Sequence, residues 1–398
     1  MALVEKPSIA SLSCLFLCPN SFLCNPNVLS IRSFSTARVK KITTPSPEIY
    51  DVLVHNHQFS PELAAALASS RLPKSTTPGR ADSVLSFLKE KSFTTAQLQK
   101  LVGYYPRILG LTIEGFEFRF KPFRDLGLSS EEIAKIISNN QMILQLSMAS
   151  NIIPKLSMLK GLLGSNEEVA RLLKNCAWFV LSDLEKKLMP NVEILKSCSI
   201  PMERIVHFLH SEPRCFLVKS DIMRKSADKA IEFGVSRTSV VFIHALKVLS
   251  FTGEETWEVK METLRDLGFS DDDIFTMFRN HPNVFGALAK TMKNKIDVLL
   301  ATGKYNISDI VAFPAALGFS IEKRLEPRIQ ILRCLESRNL IEKWPALSGL
   351  SRSTNDRFFD SFVRPYCDEI GRECITKICQ GQREMKLSVD VQETCMKS

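Results

Sequence analysis

A short apolar run followed by a helix break recurs along this chain. The break is a proline at three clear places: Pro106 within residues 101–109, Pro213 within 208–216 and Pro282 within 277–285. The intervals are close to three and then two copies of a unit of about 35 residues, a period found in helical solenoids. A solenoid presents an extended surface, so the pattern favours a protein that holds an elongated partner.

Two helical patterns alternate within each unit. The first, helix A, begins after a serine: Ser129 and Ser165 each stand three residues before a glutamate, the form of a capping box, and Ser270 stands three before an aspartate. The proline then ends or bends helix A, because it lacks a backbone donor and disfavours helix at the residue before it. The second pattern, helix B, ends at a glycine suited to a left-handed C-cap. These glycines are Gly127, Gly234 and Gly268.

We call the position of the helix break the slot, and proline does not occupy it in every unit. Aligning the apolar residues of the units places these residues in the slot: Pro106, Gln141, Ala177, Pro213, Leu246, Pro282, Pro314 and Pro345. No run shows the period-two alternation or the β-branched clustering of a strand. The sequence therefore predicts an all-α fold of about eight stacked helical units. It assigns the repeats to residues 81–370 and leaves the hand of the superhelix open.

The first residues have the composition of a targeting segment. The net charge of the chain is +9, but residues 1–41 are basic, rich in serine and contain Glu5 as their only acid. Organellar transit peptides share this composition, and Arg32 before Phe34-Ser35 resembles a mitochondrial processing site. We therefore predict a transit peptide at 1–38, a flexible linker at 39–80 and a polar C-terminal tail at 371–398. The mitochondrion is the expected destination and the chloroplast the alternative.

Two other readings of the leader are weaker. A secretory signal would need the apolar run at 12–18, which Pro19 and Asn20 interrupt, and Glu5 weakens its basic start. The same run is too short to span a bilayer, so we expect no membrane association.

Signals for enzymatic chemistry are weak. The 11 cysteines never form a Cys-x-x-Cys pair, and His207 and His210 lack a third ligand. The acids at 271–273 open a predicted helix, where they interact favourably with the helix dipole. Phosphate-loop, nucleophile-elbow and dinucleotide fingerprints are absent from the sequence. We expect neither a metal nor a cofactor, and a protein that is not an enzyme.

Three features together resemble the mitochondrial transcription termination factor family, called mTERF. They are the repeat with proline after helix A, the segment Leu317–Arg328, and the closing segment Asp356–Tyr366 with its Phe-Val-x-x-Tyr pattern. The resemblance spans about residues 81–370, and it departs from the family pattern in the three units without proline.

The resemblance implies a curved α-solenoid whose concave groove holds nucleic acid in a plant organelle. Members act in transcription termination or, in other cases, in transcription control, intron splicing or ribosomal RNA maturation. Double-stranded DNA is the favoured partner and RNA the alternative, with the protein acting as a monomer.

A solenoid that binds nucleic acid needs cations placed once or twice per unit, because phosphate contacts supply affinity. Helix B carries such residues in every unit. The candidates are Arg119, Lys121, Arg124, Lys155, Lys187, Arg224, Lys225, Lys260, Lys293, Lys295, Lys323, Arg324 and Arg328. A solvated helix face also carries cations, and adjacent lysines such as Lys186 and Lys187 cannot both point into one groove.

Two further questions stay open at the level of sequence. The phenylalanines at 116, 118, 120 and 123 could stack on bases, but this spacing is more typical of a core. The alternative function is a protein-interaction scaffold, because α-solenoids also hold peptides and proteins.

Overall fold

The computed structural model of the chain describes residues 46–69, 72–73 and 75–366, and every regular element among them is a helix or a helical turn. The predicted transit peptide at 1–38 and the predicted tail at 371–398 lie outside these residues. No helix in the described part of the chain is long and apolar enough to cross a bilayer.

Seven units of two helices follow one another, confirming the predicted all-α repeat solenoid. The helices of type A are α4 (Thr95–Tyr104), α6 (Ser130–Asn139), α8 (Asn166–Asn175), α11 (Met202–Ser211), α13 (Val241–Phe251), α15 (Asp271–Asn280) and α17 (Ile307–Ala312). Those of type B are α5 (Ile113–Arg124), α7 (Ile153–Leu163), α10 (Leu188–Ser197), α12 (Ser220–Glu232), α14 (Glu254–Asp266), α16 (Ala289–Leu300) and α18 (Glu326–Ser337). Short π-helical turns, Met148–Ile152 and Ile321–Leu325, lead directly into α7 and α18.

Six of the seven units join helix A to helix B through a short turn. Five are 3₁₀ turns and one is a single α-turn, α9. The turns are Pro106–Gly110, Gln141–Gln145, α9 (Trp178–Leu181), Pro213–Leu217, Pro282–Gly286 and Pro314–Gly318. The residue before each slot has φ between −132° and −151° and ψ between 57° and 89°. Gln141 and Ala177 therefore occupy the same turn as the prolines, as predicted.

The prediction for Leu246 was wrong. This residue lies inside α13, which runs without a break from Val241 to Phe251. Because no proline removes a backbone donor there, the apolar helix continues to Phe251, Gly253 caps the start of α14, and unit five has no turn. Pro345 lies two residues before a short helix, α19 (Leu347–Arg352), which is followed by α20 (Asn355–Phe362).

The ends of helix B repeat more regularly than the proline slot. Gly127, Gly234 and Gly268 all have positive φ, confirming the predicted left-handed C-caps. The full series of positive-φ residues at these helix ends is Ser92, Gly127, Gly164, Ser199, Gly234, Gly268, Gly303 and Asn339, with φ from 57° to 93°. Serine and asparagine in this series hid the period from a search for glycine, although asparagine tolerates the left-handed region.

Neighbouring units stack like with like. Helix α6 contacts α4 and α8, helix α12 contacts α10, and the turn at 282–286 contacts the turn at 314–318. The solenoid thus has a layer of A helices, a layer of B helices and a row of turns along one edge. One continuous apolar core fills the space between the layers, and its largest fully buried side chains include Phe116, Phe208 and Phe278.

The segment before the repeats differs from the flexible linker that the sequence predicts. Residues 47–68 form α1 (Pro47–Asp51), a π turn (Val52–Asn56) and α2 (Pro61–Ala68). They are held because Leu53 and Phe59 are buried in the core and the buried His57 lies 3.0 Å from Asp82 of α3 (Pro78–Glu90).

Candidate nucleic-acid interface

The two ends of each unit differ in charge. One end, the cap edge, is where helix B ends and the next helix A begins. Acidic side chains occupy the first turns of several A helices there: Glu131 and Glu132 in α6, Glu167 and Glu168 in α8, and three aspartates in α15. Carboxylates at these positions satisfy free backbone N–H groups and face the positive end of the helix dipole. The cap edge therefore carries these carboxylates beside cations in the last turns of helix B, such as Arg124 and Arg265, so its charge is mixed.

The predicted capping boxes form at Ser129 and Ser270, where each side chain exchanges hydrogen bonds with the residue three positions later. Ser165 caps α8 from one side only. The carboxylate of Glu168 is engaged elsewhere, because it lies 2.6 Å from Arg171 and 2.7 Å from His210. His210 is thus packed against a carboxylate that Arg171 also contacts, and burial lowers the pKa of His210. Within the described residues no group of three or more His, Cys, Asp or Glu could hold a metal ion.

The opposite end is the turn edge, which we define as the turns between helices A and B together with the first half of each helix B. It is most basic in two units. Unit four carries Arg214, Lys219, Arg224 and Lys225 there with one acid, Asp221, and unit six carries Lys290 and Lys293 with no acid between 282 and 295. Unit five lies between them and carries Glu254, Glu255 and Glu258. The basic surface is therefore a pair of patches separated by an acidic one.

In six of the seven described units, one polar side chain at a fixed place on helix B donates a hydrogen bond to the following turn or, in the last unit, to helix α19. We call this place the donor position. It is occupied by Arg119, Lys155, Asn191, Lys260, Lys295 and Arg328, and the respective acceptors are the carbonyl oxygens of Leu144 (3.2 Å), Val180 (2.9 Å), Phe216 (3.0 Å), Phe285 (2.6 Å), Leu317 (2.6 Å) and Leu350 (2.7 Å). In unit four Ser226 occupies the place and accepts from Ser250 Oγ at 3.2 Å, because the next unit has no turn.

Side chains at the donor position point into the protein. Lys260 is 3% exposed and Arg328 is 4% exposed. Burial lowers the pKa of Lys155, Lys260 and Lys295, and burial together with the nearby Arg324 charge lowers the pKa of Arg328 to about 10. Removing these cations from water is costly, and the hydrogen bonds to carbonyl oxygens offset part of that cost.

The thirteen predicted phosphate contacts therefore fall into two groups. Arg119, Lys155, Lys260, Lys295 and Arg328 occupy the donor position, so their regular spacing has a structural cause. Asn191 and Ser226 serve the same position without charge, which shows that it requires a hydrogen-bonding group and not a cation. Arg324 is also largely engaged, since it donates to Ser351 O at 3.2 Å and lies over the Phe319 ring.

Of the other predicted cations, Lys187 is half-buried and the rest are exposed. Arg224 and Lys225 on α12 and Lys187 before α10 form no ion pair within the described residues. Lys293 lies 3.5 Å from Asp297, and Lys323 is exposed at the start of α18. Lys121 and Arg124 lie towards the cap end of α5 and pair with Asp125 at 2.7 Å and Glu117 at 2.6 Å.

Among the phenylalanines considered for stacking, Phe116, Phe120 and Phe123 are buried and only Phe118 is exposed. Sequence reasoning missed another aromatic, Trp178, which opens the turn α9 and is 46% exposed. The Arg214 guanidinium of the next turn lies 5.8 Å from the centre of its ring. The sequence contains a signal for this contact, because Trp178 and Arg214 each directly follow the slot residue of their unit.

Comparison with known proteins gives a consistent picture. The mTERF family model matches residues 36–185 and 75–359. The chloroplastic transcription termination factor MTERF8 of Arabidopsis thaliana is 21% identical over 252 residues, covering 63% of this chain and 43% of that protein. The mitochondrial transcription termination factor MTERF15 of the same plant is 25% identical over 166 residues, covering 38% of this chain and 37% of that protein. The matches thus span less than half the length of these two relatives.

Proposed function

The chain belongs to the mTERF family, and from that premise we propose that it is a nucleic-acid-binding regulator of gene expression in an organelle. The observation that carries the proposal is the turn edge of units four and six. It combines Arg224 and Lys225, which have no acidic partner in the described part of the chain, with exposed Lys290 and Lys293. Both relatives are named as transcription termination factors of an organelle.

The charge distribution supports binding along the turn edge. A phosphate backbone is attracted to unpaired cations and releases counterions when they approach it. The same backbone is repelled by the carboxylates of the cap edge, which are fixed there by helix capping. We therefore assign phosphate contacts to Lys187, Arg224 and Lys225 from the predicted set and add Lys219 and Lys290. We include Lys293 and Lys323 because both are exposed on the same edge.

The finer assignments are also proposals. The protein acts as a monomer on double-stranded DNA, with RNA as the alternative, and it controls transcription by termination or in another way. The acid-poor leader supports import into an organelle, and Arg32 before Phe34 favours the mitochondrion. One relative is named chloroplastic and the other mitochondrial, so imaging a fluorescent fusion of residues 1–60 is the direct test.

The binding test compares two double variants of equal charge. Arg224→Ala/Lys225→Ala removes two cations from the turn edge, and Lys160→Ala/Arg237→Ala removes two exposed cations near the cap edge. Affinity for a duplex is measured at several salt concentrations. We expect the first variant to reduce the slope of log K against log salt by about 2, because each phosphate contact contributes about 0.9. The second variant should keep the parent slope.

Two outcomes would contradict the proposal. If the parent chain bound neither DNA nor RNA, or bound with no salt dependence, the protein-interaction scaffold would be the better hypothesis. If both double variants lost the same slope, nucleic acid would bind without preference for the turn edge.

A further inference from the structure

Trp178 is the only one of the three tryptophans of the chain that is exposed to solvent. Trp257 is 3% exposed and Trp344 is 8% exposed, whereas 46% of Trp178 is accessible. Tryptophan is enriched at binding interfaces because its ring is apolar while its N–H is polar, so an exposed indole beside a guanidinium suits a contact surface.

The turn that displays Trp178 is firmly anchored. Phe179 and Val180, the next two residues, are fully buried. The carbonyl oxygen of Val180 accepts a hydrogen bond from Lys155 of the preceding unit at 2.9 Å, and Trp178 O accepts one from Ser182 N at 2.9 Å. The ring is thus held outward by a rigid backbone, and little conformational entropy is lost when a ligand stacks on it.

Trp178 lies in a row of exposed turn residues that ends in an arginine on each side, although its own unit also carries the exposed acids Asp183 and Glu185. The residues that follow the slot in four successive turns are Arg107, Met142, Trp178 and Arg214, and all four are exposed. Arg214 lies over the indole ring, and Lys187 follows in the same unit without an acidic partner in the described residues. Aromatic faces interleaved with cations are the surface that single-stranded nucleic acid requires, since bases stack and phosphates are neutralised.

We propose that Trp178 binds an unpaired base of a single-stranded nucleic-acid segment that crosses the turn edge at unit three. The inference rests on the proposed function and specifies the class of nucleic acid that this part of the edge accepts. Bases inside a duplex are already stacked on their neighbours, so their faces are closed to the indole. Other turns carry Arg, Met, Asn or Ala at the equivalent position, so this row offers one stacking site.

The test uses the intrinsic fluorescence of the full chain. It is titrated with a single-stranded RNA, the single-stranded DNA of the same sequence and the corresponding duplex. We expect either single strand to quench tryptophan emission at one site per chain, and the duplex to bind without this quench. The variant Trp178→Phe should bind single strands without the quench, because Trp257 and Trp344 are shielded.

Affinity supplies the second readout. Trp178→Ala should weaken single-strand binding by about 5- to 150-fold, the range that loss of one stacked base produces. Trp178→Phe, which keeps an aromatic face, should lose less. Tyr104→Ala is the matched control, because Tyr104 is an exposed aromatic residue at the end of α4, and it should bind like the parent chain. Thermal melting checks that each variant is folded.

Several results would overturn this inference. They are an unchanged affinity of Trp178→Ala, a single strand that binds without quenching, and a duplex that quenches as strongly as a single strand. A steep salt slope that persists in Trp178→Ala at unchanged affinity would sink only the stacking site. Absence of all nucleic-acid binding by the parent chain would sink the proposed function as well.

Discussion

The positively charged side chains of the B helices fall into two sets, one buried between units and one exposed to solvent. Lys260, at the donor position, is buried against the carbonyl oxygen of Phe285. Lys225 stands one place before the donor position of its own unit and extends into solvent. Only the donor position recurs with the period of the solenoid, so a regular spacing of cations points to contacts between units and does not identify phosphate contacts. Burial and hydrogen-bond partners separate the two sets.

The largest effect on stability is expected from a change at Arg328, a buried cation of the donor position. Its guanidinium donates to Leu350 O at 2.7 Å, to Ser353 Oγ and O at 2.9 Å, and to Asn355 Oδ1 at 2.9 Å. Arg328→Ala leaves the buried Leu350 carbonyl and the half-buried acceptors of Ser353 and Asn355 without this donor, so we expect the free energy of unfolding to fall by about 3 kcal/mol.

Arg357→Ala is the control for this change, because Arg357 is exposed on α20 and should alter stability by no more than about 0.5 kcal/mol. Urea denaturation measures both. Equal, small effects would show that the interior contacts of Arg328 contribute little to stability.

A smaller effect on stability is expected at Lys260, and almost none at Lys225. Lys260→Ala should cost about 2–3 kcal/mol of stability, because it leaves the Phe285 carbonyl unpaired and opens space beside it. Lys225→Ala should change stability by at most about 0.5 kcal/mol but weaken nucleic-acid binding at all sequences alike. Chemical denaturation and binding assays on the folded variants together check this exchange of effects. Loss of affinity in a fully folded Lys260→Ala chain, with none in Lys225→Ala, would contradict our assignment. It would mean that Lys260, and not Lys225, contacts the nucleic acid.

The smallest effect is a pH dependence of the donor position. Burial lowers the pKa of Lys260 in the folded chain, so the unfolded chain binds more protons between that lowered value and the ordinary lysine value of about 10.4. Stability attributable to Lys260 should therefore rise as pH increases through this window. Denaturation of the parent chain and of Lys260→Met from pH 8 upwards should show their difference growing in favour of the parent. A difference that shrinks with pH would mean that the charged form is the better stabilised one in the fold.

Much of the fold follows from local chemistry that a sequence displays. Ser129 and Ser270 start helices because their side chains satisfy backbone N–H groups within three residues, and Gly127 and Gly268 end them because left-handed backbone favours glycine. The irregular units were harder to predict. Leu246 has an apolar neighbourhood like that of a true slot, yet α13 continues through it.

The candidate interface was predicted less completely than the fold. The sequence places cations on helix B but does not say which side of the helix meets the next unit. The residue type does not reveal that Lys260 is buried and Lys225 exposed. In sequence, Trp178 resembles an aromatic residue of the core. The sequence predicts a linker that includes residues 47–68, because the helices there are too short to show a helical period of apolar residues.

The sequence by itself determined the repeat, its helical content, its family and the positions where helices begin and end, because each depends on residues close together in the chain. Only the tertiary structure decided which cations are available to a nucleic acid, because that depends on contacts about 22 to 25 residues apart between one helix B and the next turn. The same stacking of units buries Lys260 and leaves Lys225 and Trp178 exposed at the turn edge.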